Sequence, residues 1–168
     1  MNLIQIFNLS LVERKDKIAL EFGNETYTFG EINLRSNRMA NLLLSKGLVA
    51  GDRICIYLEN CVEMIDLYLA CAKTGIIFVP VNVLYKEREI THILNDADPK
   101  LLIADVAVPG GFPALQLDDL IQELKNQSDS SIKIRTTGDS PAALVYTSGT
   151  TGASKGAILT HNNFISTG

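Results

Sequence analysis

Residues Arg53–Val81 read RICIYLENCVEMIDLYLACAKTGIIFVPV, two apolar runs on either side of a helical stretch. Past Arg53, the runs Arg53–Leu58 and Ile76–Val81 show no polar alternation. A half-solvated strand alternates with period two, so unbroken runs of this length fit strands covered on both faces. Between them, Val62–Lys73 is apolar nearly all the way round, with Glu63 and Asp66 as a narrow polar edge. Such a helix is buried on most sides, and Gly75 is placed to end it in a left-handed cap. Buried strand, helix and buried strand predict a parallel pair joined by a crossover.

The same grammar continues in both directions. Downstream, Tyr85–Ala97 is helical with Ile90, Ile93 and Ala97 inward, and Asp98-Pro99 closes it. Leu101–Ala104 is a third buried strand, Ala114–Leu117 a short fourth, and Asp118–Lys125 a short helix with acids at its start. Upstream, Ile18–Phe22 and Thr26–Phe29 form a hairpin around Gly23-Asn24. Thr28 and Glu31 have the spacing of a capping box. The helix behind that box sets Ile32, Ser36, Met39 and Leu43 on one stripe and stops at Gly47. The expected fold class is α/β, a largely parallel sheet with helices on both faces. Asn126–Ser140, rich in Ser, Asp and Thr, is the linker-like stretch, an exposed loop with at most one brief strand at Ile132–Ile134. Beyond it, Ala142–Tyr146 is apolar again.

Composition narrows the function classes. With 46% hydrophobic and 20% charged residues, the 168-residue chain has enough apolar surface for one core and is too apolar for disorder. Net charge is −4, with the basic residues scattered among acids, which argues against a nucleic-acid partner. The apolar runs are too short to span a bilayer, leaving peripheral membrane contact open, and the first residues, MNLIQIFNLSLVERKDK, make a poor signal peptide. Cys55, Cys61 and Cys71 are odd in number and form no C-x-x-C pair, so they read as small buried hydrophobes in a reducing cytoplasm.

Chemistry concentrates at Thr147–Gly156, TSGTTGASKG. Gly149, Gly152 and Gly156 let the backbone turn tightly and bring N–H groups close to an anion. Thr147, Ser148, Thr150, Thr151 and Ser154 add rotating hydroxyl donors, and Lys155 is the only charge. No acid interrupts the stretch. It is not the common P-loop, because Lys155 follows Ser154 and precedes Gly156. Ala157–Leu159 resembles a returning strand, which places the loop at the bend of a strand–loop–strand unit. Composition alone leaves two readings open, a loop wrapping a polyphosphate and a plain Ser/Thr/Gly surface hairpin.

The run YTSGTTGASKGAILTHNN, Tyr146–Asn163, resembles the phosphate-binding signature of the adenylate-forming (AMP-binding) superfamily of acyl-CoA synthetases, aryl-CoA ligases and peptide-synthetase adenylation domains. The resemblance covers most of the chain. Thr26–Ile32 is similar to the family's early strand–helix entry, Gly51-Asp52-Arg53-Ile54 to its GDRV segment, and Ala70–Asn82, with Gly75 and Pro80, to its AxxxxGxxxxPxN stretch. Ser154 departs from the commoner proline.

The resemblance implies a two-step reaction: a carboxylate displaces pyrophosphate from ATP, giving an acyl-adenylate, and a thiol, usually coenzyme A, takes the acyl group. It assigns Thr147, Ser148, Gly149, Thr150, Thr151 and Gly152 to the β- and γ-phosphates, and Lys155 to charge stabilisation, with Mg²⁺ accompanying ATP. It supplies no catalytic residue within this stretch and leaves the metal ligands unknown. The family's Tyr-Gly-x-Thr-Glu motif, ribose-binding Asp, hinge and C-terminal lysine are not found between Thr160 and Gly168. Residues 1–168 are therefore expected to be part of a large N-terminal domain, inactive alone and without the C-terminal domain. The parent is expected to be a fatty acyl-CoA synthetase, with malonyl- or aryl-CoA ligases and peptide-synthetase adenylation domains as alternatives. A non-catalytic anion-binding or structural module is the reading of another class.

Other candidates read as structural. His161 suits a structural or capping role where strand meets helix, and His92 a surface edge. Asp52-Arg53 and Glu87-Arg88-Glu89 suit solvated charge clusters, and Pro80-Val81-Asn82 the end of a buried strand.

Overall fold

The structure is a computed structural model and describes residues 1–147 and 152–167. The chain opens with helix α1 (Leu3–Arg14), a hairpin of β1 (Ile18–Phe22) and β2 (Glu25–Thr28), and helix α2 (Phe29–Ser45). Then come β3 (Arg53–Tyr57), α3 (Val62–Thr74), β4 (Ile77–Pro80), α4 (Glu87–Ala97) and β5 (Leu101–Ala104). Short β6 (Leu115–Gln116) and α5 (Leu117–Leu124) precede β7 (Pro141–Thr147), β8 (Lys155–Thr160) and α6 (His161–Ile165). Asn126–Ser140 carries no strand, and Pro80 ends β4 as its sequence suggests.

The large sheet has the order β6-β5-β3-β4-β7-β8. All its pairs are parallel except β7–β8, which is antiparallel. From β4 the chain steps over β3 to reach β5, so the strand order reverses beside β3. Right-handed crossovers on either side of such a reversal put their helices on opposite faces. The core follows that plan. Ile54, Ile56, Phe78 and Ile103 face a cluster with Met39, Leu43, Leu67, Cys71 and Leu120 of α2, α3 and α5. Their neighbours Cys55, Tyr57, Val79 and Leu102 face Ile90, Ile93, Leu94 and Ala97 of α4. Both faces are thus covered, which explains why the strands lack polar alternation. Each fully buried Ile or Leu contributes roughly 1.5–3 kcal/mol of transfer free energy.

Local signals fix the helix ends. The Thr28 hydroxyl accepts from the Glu31 N–H at 3.2 Å while the Glu31 carboxylate accepts from the Thr28 N–H at 2.8 Å. Gly75, at φ +80°, caps α3 in the left-handed region, and an added Cβ would sit 3.0 Å from that of Ala50. Helix α1 has no sequence stripe to announce it: of its residues only Ile4 is buried, and Leu9 and Val12 lie exposed. Distant ties hold it instead. The Asn2 amide donates to the Thr136 carbonyl at 2.7 Å, and the Leu3 N–H donates to His161 Nδ1 at 3.3 Å.

Candidate functional site

Strand β7 runs parallel to β4, with Ala143 opposite Phe78, and its carboxyl end leads into the Gly/Ser/Thr loop. The chain returns as β8 in antiparallel register, with Tyr146 opposite Gly156 and Thr147 opposite Lys155. The loop therefore leaves from the edge of the sheet where the parallel strands end, the edge at which open α/β sheets bind ligands. Of the residues assigned to phosphate binding, Thr147 and Lys155 face each other across the loop's base, both exposed. Gly152 lies at φ +139°, a conformation that favours glycine. Ser148, Gly149, Thr150 and Thr151 lie outside the described residues.

The base of the loop is built on glycine for a packing reason. A Cβ at Gly156 would come within 2.9 Å of Leu144 Cδ1 and 3.1 Å of Tyr146 Cζ, so the Tyr146 ring lies across the glycine. That ring is anchored from α4, where its hydroxyl donates to Asp96 at 2.6 Å. Burial first, and then the Asp96 carboxylate, raise the phenol's pKa and keep it protonated as the donor.

One turn before Asp96, His92 stands edge-on to Tyr146 at 6.4 Å between ring centres. Its Nε2 lies 2.7 Å from the Ser154 carbonyl. His92 thus keeps the partly exposed edge expected of it, with its Nε2 side set against the returning limb of the loop. Beside it opens a cavity of about 670 Å³, bounded by Tyr85, Lys86, Arg88 and Glu89 on one side and Gly152–Ser154 on the other. The cavity wall thus sets two cations and one carboxylate beside the loop backbone.

Other polar residues are structural, some in ways the sequence does not announce. Arg53 is no solvated charge; its guanidinium donates to the carbonyls of Ala97 and Asp98, the last of α4 and its cap. Cations suit a helix C-terminus, where carbonyls lack partners. Asp66 turns inward, 2% exposed, and Arg35 grips it with two hydrogen bonds of 2.6 and 3.2 Å. Burial outweighs that guanidinium and raises Asp66 to about 6. Lys73 is also buried and donates to Ser36, Asn37 and Asn33 at 2.7, 2.7 and 2.9 Å; burial lowers it to about 8. His161 is wholly buried at the start of α6 and accepts from α1, a structural role as its sequence setting suggests.

A two-faced, mostly parallel sheet ending in this loop is the architecture of the N-terminal domains of adenylate-forming enzymes. The chain belongs to the AMP-binding enzyme family, whose model matches residues 7–168. It is 30% identical over 169 residues to surfactin synthase subunit 2 of Bacillus subtilis (strain 168), covering 96% of this chain and 5% of that protein. To the medium-chain fatty-acid–CoA ligase of Escherichia coli (strain K12) it is 33% identical over 180 residues, covering 89% of this chain and 31% of that protein. The crystal structure of ATP-bound MatB from Rhodopseudomonas palustris superposes with a TM-score of 0.86 at 32% identity, over 99% of this chain and 36% of that one. The chain thus spans about a third or less of these relatives' length.

Proposed function

We propose that this chain is the part of an acid-activating ligase that holds the phosphate tail of ATP while a carboxylate is adenylated. The observation that carries the reading is the closure of the Gly/Ser/Thr loop by Thr147 opposite Lys155, at the carboxyl end of the parallel strands. There the Lys155 ammonium would offset the charge that develops on departing pyrophosphate. The Thr147 hydroxyl and the backbone around Gly152 would donate to phosphate oxygens. In the reaction a carboxylate oxygen bonds to the α-phosphorus and the bond to the bridging oxygen of pyrophosphate breaks. Mg²⁺ would enter with the nucleotide, and no residue of this chain is assigned to hold it.

For the second step we take coenzyme A as the acyl acceptor and a fatty acid as substrate, in line with the likeness to a medium-chain fatty-acid–CoA ligase. The likeness to surfactin synthase subunits favours a second reading equally, an adenylation domain that activates an amino acid. The unpaired cysteines support placing the protein in the cytoplasm.

ATP–pyrophosphate exchange by the protein in its full natural length separates the readings. Exchange that depends on fatty acids supports the ligase, and exchange that depends on amino acids supports the adenylation domain. No exchange with fatty, malonic, aromatic or amino acids would overturn both.

A further inference from the structure

Two residues of α4 reach the two limbs of the loop hairpin. Asp96 takes the outgoing limb by accepting from the Tyr146 hydroxyl at 2.6 Å, and His92 takes the returning limb at the Ser154 carbonyl, 2.7 Å away. Residues four apart share a helix face, so one rigid surface grips both. A carbonyl oxygen only accepts, which fixes the hydrogen on His92 Nε2. Ser154 is the residue before Lys155, and Tyr146 lies opposite Gly156, the residue after it. The lysine is therefore bracketed by anchored neighbours.

We propose that His92 is a positioning residue: by donating from Nε2 to the Ser154 carbonyl it pins the returning limb to α4 and so aims Lys155. This rests on the phosphate-binding reading of the loop, but the tether itself can be tested without it. Three observations support a positioning role over plain packing. The His92 ring is only half-buried, it spends a directional bond on a loop carbonyl, and its edge-on contact with Tyr146 would survive in phenylalanine. His92→Phe thus keeps the ring and removes the donor, whereas His92→Gln restores an N–H donor near the Nε2 position.

The first readout is trypsin cleavage after Lys155 under native conditions, which needs no nucleotide. His92→Phe should speed cleavage about fivefold, the effect of losing one neutral hydrogen bond. His92→Gln should cleave at the wild-type rate and keep the wild-type unfolding midpoint, and His92→Phe should lower that midpoint by no more than the same single bond accounts for. The second is ATP–pyrophosphate exchange by the full natural length, where His92→Phe should raise the KM for ATP about fivefold with a smaller change in kcat, and His92→Gln should recover it. Equal cleavage in wild type and His92→Phe overturns the tether. Faster cleavage with an unchanged KM overturns the aiming of Lys155. Absence of exchange in the wild type, with the cleavage difference present, overturns the phosphate-binding reading and leaves the tether standing.

Discussion

Gly156→Ala puts the packing at the loop's base to a quantitative test. The new methyl would lie 2.9 Å from Leu144 Cδ1 and 3.1 and 3.2 Å from Tyr146 Cζ and Cε1. Carbon atoms prefer about 3.5–4.0 Å, so both neighbours must move. Leu144 can rotate its terminal methyl. Tyr146 cannot yield as easily, because its hydroxyl is bound to Asp96 and its ring packs against His92. Overpacking of this kind costs roughly 1–3 kcal/mol. Alanine offsets about 0.4–1 kcal/mol by narrowing the unfolded ensemble. The net expectation is a loss of roughly 1 kcal/mol, within about 0 to 2.6, read by urea unfolding as a lower midpoint at unchanged m. In a Tyr146→Ala background the ring's share of the obstruction is gone and only the Leu144 methyl remains, so the same substitution should cost about 1 kcal/mol less. A Gly156→Ala protein at least as stable as wild type, or an equal cost in both backgrounds, would refute the reasoning.

Two further expectations follow from buried titratable groups. Asp66 is raised to about 6 from 3.8, so as pH falls the folded state takes up the proton before the unfolded chain does. Its contribution to stability is absent above about pH 6, grows as pH falls towards 3.8 and is complete below it, a gain of about 3 kcal/mol. Asp66→Asn lacks this gain, so unfolding free energies at pH 7 and pH 4 should show the variant losing ground to wild type at pH 4. The Cys55 thiol is pushed by burial to about 12, and burial raises Cys71 as well. Neither should react with iodoacetamide at neutral pH before unfolding, and mass spectrometry of the native protein should find both unmodified.

The fold was legible because Ile54–Tyr57, Ile77–Val79 and Leu102–Ala104 are covered on both faces, and a strand in that position has no room for polar alternation. The helix ends at Thr28 and Gly75 were legible because capping chemistry is local. What stayed hidden depends on partners distant in sequence. Helix α1 is held by Thr136 and His161, Arg53 by carbonyls at 97 and 98, and Lys73 by Asn33, Ser36 and Asn37. Asp66 looks like a polar edge in the sequence because nothing near it names Arg35 as its counter-ion. The candidate site divides the same way. Its loop stands out by composition, with three glycines, five hydroxyls and one cation in ten residues. The role of His92 rests on a carbonyl 62 positions away, which periodicity cannot reveal.

The central claim is that Lys155 supplies positive charge to the nucleotide's departing phosphates, and ATP–pyrophosphate exchange by Lys155→Ala in the full natural length tests it most directly. Loss of a charge-assisted contact predicts a roughly 10- to 100-fold slower exchange with an unchanged unfolding midpoint. Exchange at the wild-type rate in that variant would contradict the account.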